Sequence, residues 1–295
     1  GFTREESCVY VTSYITDFYS GATACPDWHN RGRALHKWLI DPLEDDLERQ
    51  DITSIGFVMD SVLRSLPTGA LVNPEPLGNR PEPNPDEPGF RSTALASLQD
   101  EDGHYLIEKY SIGLIPRMSL IDLKYRDIRD ARVLVMGTDT FIEQPNLPGV
   151  RSEIEYIRNN WQSSEPIFRD DFTLSRLEQE INNGYRVLHL ATHGEFNAGA
   201  PSNSFIQFSK DETLTLQQVR NRLPLRTLTP SVDLLVLSAC QTALGNREAE
   251  LGFAGFAFQS GARSVLASLQ RVPDAGTAGL ITQFYQQLRE QPTKA

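Results

Sequence analysis

The 295-residue chain, 39% hydrophobic and 23% charged, has the composition of a globular protein large enough for one large or two modest domains. No apolar run approaches the roughly 18 residues needed to cross a bilayer, so no membrane segment is expected. A net charge of −11 argues against sequence-independent nucleic-acid binding. Three scattered cysteines, Cys8, Cys25 and Cys240, fit neither a disulfide framework nor zinc-site spacing. Free thiols in a reducing, cytoplasmic compartment are the economical reading. The chain starts at Gly1 with no signal-peptide pattern and reads as a fragment of a longer protein.

Leu35, Trp38, Leu39, Leu43 and Leu47 recur at helical spacing, with Pro42 as the point where the helix kinks or restarts. Residues 52–59 read as a buried strand. Residues 73–103 begin with a stretch of proline, glycine, asparagine and acids without apolar periodicity, which reads as a flexible surface insertion. Residues 105–112 are rich in aromatic and β-branched types and predict a strand. Pro116 ends it, and Ser119 reads as the cap of a helix carrying Leu120, Leu123 and Ile128.

From Ala131 the pattern becomes regular alternation. Strands are predicted at 132–137, 187–191, 234–237 and 264–269. Helices are predicted at 152–161, 174–182, 216–223, 251–259 and 275–288, with Gly261 placed to end the fourth helix. Such alternation predicts a parallel sheet covered on both faces. The change of pattern divides the chain into residues 1–130 and 131–295. His29, His36 and His104, in the first part, read as surface or helix residues.

Two of the apolar runs end in chemistry. Val187–Ala191 leads through Thr192 to His193-Gly194-Glu195, and Leu234–Ser238 leads through Ala239 to Cys240-Gln241-Thr242. Parallel sheets collect active sites at the carboxyl ends of their strands. A thiol and an imidazole there are the parts of a cysteine nucleophile and its general base. Gly194 and Cys240 offer backbone N–H groups for an oxyanion. His189 and His193, four apart, would share a helix face for a metal. Their run reads as strand and no Glu follows His189, so neither zinc nor any other cofactor is expected. Gly245, Gly252 and Gly255 lack the Lys-Ser/Thr ending of a phosphate loop.

The stretches VLHLATHGEF, DLLVLSACQTALG and EAELGFAGFAFQSGARSVLASL, with SVLRSLPTGAL and YSIGLIPRMSL upstream, resemble the CHAT family. These are caspase-like domains attached to tetratricopeptide repeats in bacteria, in the clan of caspases, separase and gingipain-like peptidases. The resemblance implies a caspase-like three-layer α/β/α sandwich with a mostly parallel sheet, and a cysteine endopeptidase with a His193/Cys240 dyad. It also implies a supporting or pseudo-caspase-like part over 1–130 and the catalytic caspase-like part over 131–295, protein or peptide substrates, upstream repeat or sensor domains, a signalling role and latency until a partner acts. The substrate pocket would draw on Ser238, two residues before the cysteine, and on Asp139 and Glu195. Gln270, where family members often carry Trp, would form a wall. A substrate loop is expected at 196–204, with the peptide bound extended. The alternative is a non-catalytic scaffold module on the same fold.

Overall fold

A computed structural model describes residues 28–59, 106–115, 126–163, 165–195, 204–239, 261–268 and 274–290. The insertion at 73–103, the helices expected near Ser119 and at 251–259, and the loop at 196–203 lie outside the described residues. So do all three cysteines and Gln270. The chain divides into two compact units, Gly1–Ile121 with Ala295, and Asp122–Lys294. The second unit starts ahead of Ala131 because Ile128 and Ala131 are both buried in its core.

In the first unit, helix α1 (Trp28–Leu39) is followed by α2 (Asp41–Arg49), which restarts on a proline in its first turn. That is the role anticipated for Pro42, whose ring suits the opening of a helix but not its interior. Strand β1 (Ser54–Phe57) alternates exposed and half-buried residues and is not the fully buried strand anticipated. Residues 106–109 form one helical turn, α3 (Leu106–Lys109), where a strand was predicted. A short apolar run does not itself distinguish turn from strand. Here Leu106 is buried and its carbonyl accepts from the Tyr110 amide. Strand β2 (Ser111–Leu114) begins only after that turn and pairs in parallel with β1, Ser111 opposite Ser54. His36 lies on a helix but is buried, with Nδ1 2.7 Å from Asp41 Oδ1.

The second unit starts with β3 (Val133–Gly137), then α4 (Pro148–Asn160) and the two-residue strand β4 (Ile167–Phe168). Helix α5 (Leu174–Glu180), capped by the Thr173 side chain, leads to β5 (Val187–Ala191). An antiparallel trio follows: β6 (Gly194–Glu195), β7 (Phe205–Gln207) and β8 (Thr213–Thr215). Helix α6 (Leu216–Arg222), β9 (Leu234–Ser238), β10 (Val265–Ala267) and α7 (Asp274–Glu290) complete it.

The central sheet has the order β10-β9-β5-β3-β4, and all four pairings are parallel. Strands β3, β5 and β9 are buried at every position, as their unbroken apolar runs require. Alternate residues divide between two cores. Leu134, Leu188 and Leu235 face a core shared with α5 and α6, while Val133, Val187 and Leu234 face α4 and α7. The expected three-layer α/β/α architecture with a mostly parallel sheet is therefore the one observed. On the second face, the Gly149 amide in the first turn of α4 donates to Asp274 Oδ2, 2.6 Å away, at the start of α7.

Candidate active site

The strand order sets the site. From β3 the chain passes to one side to form β4, then returns to the other side to form β5, β9 and β10. The connections after β3 and β5 thus diverge, leaving a crevice at the carboxyl ends of the strands. Gly137 closes β3 where only a glycine fits, because an added Cβ would lie 2.4 Å from the Ala191 carbonyl oxygen. That close approach lets the Thr138 amide donate to Ala191 O at 3.1 Å.

His193 sits at this crevice, two residues beyond β5, half-buried and held from two sides. The β3 loop, residues 138–147, supplies both ring contacts. Phe141 packs at 58° with its ring centroid 4.3 Å from the imidazole centroid, and Pro145 O lies 2.8 Å from Nε2. A carbonyl oxygen only accepts, so Nε2–H donates to it. In the neutral ring Nδ1 then carries the lone pair and is the atom available to take a proton. On the backbone side, His193 O accepts from the Gln207 amide at 2.9 Å. Gln144 Nε2 donates to Gln207 Oε1 at 2.7 Å, joining the β3 loop to β7. The Thr192 hydroxyl donates to Gln207 O at 2.6 Å.

Gly194 and Glu195 form β6, half-buried and paired with Ile206 and Phe205. Ser238 closes β9 directly opposite Ala191, and its carbonyl accepts from the Thr192 amide at 3.1 Å. Strands β5 and β9 thus leave the sheet level with each other and bonded to their last residues. Cys240 and Gln270 lie outside the described residues.

Two of the anticipated pocket residues are otherwise engaged. The Asp139 carboxylate is buried and takes Arg169 Nε on Oδ1 (2.8 Å) and Arg169 Nη2 (3.0 Å) and Arg151 Nη2 (3.1 Å) on Oδ2. Hydrogen bonds from Arg169, and with them Arg151, hold its carboxyl below the usual carboxylate range against the opposing effect of burial. Both guanidinium groups also lie 5.5 Å from the centroid of the Phe168 ring. A substrate cation at Asp139 would have to displace two arginines. The Ser238 hydroxyl points under the sheet and donates to Glu153 Oε1 at 3.0 Å, with 6% of the residue exposed.

Sequence reasoning missed Phe141, Pro145 and Gln207, the groups that orient His193. No local pattern marks them, since they lie 52, 48 and 14 positions from it and meet only through the fold. Among the described residues, His36, Asp41 and Glu44 bring metal-ligating atoms within 4.8 Å of one another. His36 already bonds Asp41, and Glu44 Oε1 accepts from Lys109 Nζ at 3.1 Å, so these groups satisfy one another and a lysine. No described helix is long and apolar enough to cross a membrane.

The chain is a mostly parallel α/β sandwich, an architecture that collects its sites at the carboxyl ends of the strands, where the oriented imidazole of His193 lies. More narrowly, the chain belongs to the CHAT domain family, whose model matches residues 29–295. None of the curated proteins matches it. Among solved structures it is similar to a complex of the Porphyromonas gingivalis RgpB pro- and mature domains, at 14% identity with a TM-score of 0.46. That match covers 94% of this chain and spans 61% of the RgpB chain.

Proposed function

We propose that this chain is the caspase-like cysteine endopeptidase domain of a longer protein, with His193 as general base and Cys240 as nucleophile. The observation that carries the reading is the fixed orientation of His193. Its Nε2–H is committed to Pro145 O, and Phe141 packs against its ring, which leaves Nδ1 as the nitrogen to act as base at the carboxyl end of β5. Register supports the pairing: Ala191 lies opposite Ser238, and His193 and Cys240 each follow those residues by two.

In this mechanism Nδ1 of His193 takes the Cys240 thiol proton, and the thiolate attacks the scissile carbonyl carbon. The N–H groups of Gly194 and Cys240 stabilise the oxyanion. The imidazolium returns its proton to the leaving amine as the C–N bond breaks, leaving a thioester. Water then attacks the thioester with His193 again as base, releasing the acid and the free thiol. Substrates are proteins or peptides bound extended. Glu195, half-buried on β6, and Gln270 remain candidates for the pocket, and Asp139 is left out because its arginines occupy it. Activity is held latent until upstream tetratricopeptide-repeat or sensor domains, in a reducing compartment, respond to a partner.

The test is a proteome-wide search for new N-termini, comparing the full-length protein with its Cys240→Ala variant under activating conditions. Termini that depend on Cys240 support the endopeptidase and give its residue preference. Identical termini, with partner binding unchanged, favour the scaffold module.

A further inference from the structure

Among the described residues, the strands facing α4 and α7 are apolar except at one place. There Ser238, Glu153, His189 and Tyr285, from β9, α4, β5 and α7, are each at most 6% exposed. The Ser238 hydroxyl donates to Glu153 Oε1 at 3.0 Å, and Tyr285 Oη lies 3.3 Å from His189 Nδ1. Glu153 Oε2 and His189 Nε2 close the chain at 3.2 Å, a contact too poorly aligned to count as a hydrogen bond for either atom. Burial, with the Glu153 carboxylate nearby, raises the Tyr285 pKa well above its usual value, so the phenol keeps its proton beside the His189 ring.

Apolar side chains of similar volume would fill this position at lower desolvation cost. What a polar chain adds is direction, because a hydroxyl bonded to a carboxylate fixes where its backbone sits. Ser238 is the node. Its side chain is anchored to α4, its carbonyl holds the amide of Thr192, the residue before His193, and Cys240 follows two residues later.

We propose that Ser238 is a positioning residue that, held by the buried Glu153–His189–Tyr285 chain, fixes the end of β9 level with the end of β5 that leads into His193. This assigns Ser238 a place behind the catalytic strands and not in the substrate pocket. It rests on the dyad reading for its catalytic consequence, but the alignment of the two strand ends is measurable without it.

The experiment compares the intact protein with Ser238→Ala and Ser238→Thr, the latter keeping the hydroxyl. Hydrogen exchange at the Thr192 amide reads the strand ends, and the pH profile of Cys240 alkylation by iodoacetamide reads the thiol. Ser238→Ala should speed Thr192 exchange about tenfold, the equivalent of one lost hydrogen bond, with the fold intact. It should also slow Cys240 alkylation about fivefold near neutral pH, and Ser238→Thr should restore both. Wild-type exchange and a wild-type profile in Ser238→Ala overturn the proposal. Should that variant fail to fold, Glu153→Met, which removes the hydroxyl's acceptor at similar side-chain volume, is read by the same two criteria. Should wild-type Cys240 react no faster than Cys8 and Cys25, the dyad reading fails, while Thr192 exchange still decides the positioning role.

Discussion

The two ends of the central sheet both bury polar groups, but of different kinds. At the amino ends Asp233, fully buried just before β9, takes Arg186 Nε at 2.6 Å, with Arg263 Nε at 3.4 Å. The backbone repeats the link: the Asp233 amide donates to Arg186 O and the Arg263 amide to Val232 O. Permanent charges of opposite sign are matched there, and the arginines remain about a quarter exposed at 27% and 24%. On the carboxyl side, besides the Asp139 carboxylate with its two arginines, the face toward α4 and α7 buries a carboxyl, the His189 imidazole midway along β5, a phenol and a hydroxyl, joined partly by long or misaligned contacts. One end is a clamp that sets register. The other holds groups whose protons and orientations can matter to chemistry, beside the loops where the chain diverges.

Breaking each end in turn should separate activity from stability. The largest effect expected is His193→Ala, which should lower peptidase turnover roughly 10²- to 10⁴-fold, with its melting temperature close to wild type. Asp233→Asn should do the reverse. Leaving Arg186 and Arg263 without their carboxylate should cost about 3 kcal/mol, the low end for a broken buried pair because the arginines reach solvent. For a unit of this size that is a melting temperature lower by roughly 6–12 °C, read by calorimetry.

Asp139→Asn should cost less, about 1–2 kcal/mol, since its arginines are half-exposed. Its pH dependence follows from the lowered carboxyl pKa in the folded protein. The contribution is complete above the unfolded value of about 3.9 and is lost as pH falls through the folded one. Wild type and Asp139→Asn should therefore converge in stability on acidification, as urea titrations from pH 6 to 2 would show. Phe141→Ala should leave stability little changed but slow Cys240 alkylation by about threefold, by freeing the His193 ring. Ile142→Ser, at a side chain 81% exposed on the same loop, should change stability by less than about 0.5 kcal/mol.

The sheet and its helices were largely legible because β3, β5 and β9 are unbroken apolar runs between turn residues, a pattern that survives without any tertiary information. The antiparallel trio was not. Strands β6, β7 and β8 are two or three residues long and too short to show a period. Helix α4 starts four residues before its apolar spacing suggests, because Pro148 suits a first turn. The sequence placed His193 and Cys240 at the ends of apolar runs; the structure describes His193 two residues past β5, and Cys240 lies outside the described residues. Glu153 and Tyr285 were not legible, being 85 positions from Ser238 and 96 from His189. One local signal was present: His189 stands in the middle of an apolar strand, where a polar residue requires partners from elsewhere.

The central claim is that the fold delivers an imidazole to a thiol at the strand ends. It is tested most directly by the alkylation rates of the three cysteines in the wild-type and His193→Ala proteins, measured side by side near neutral pH by mass spectrometry. The account predicts that Cys240 reacts faster than Cys8 and Cys25 in the wild type and that His193→Ala abolishes the difference. Equal rates for all three thiols in the wild type, unchanged in the variant, would contradict it.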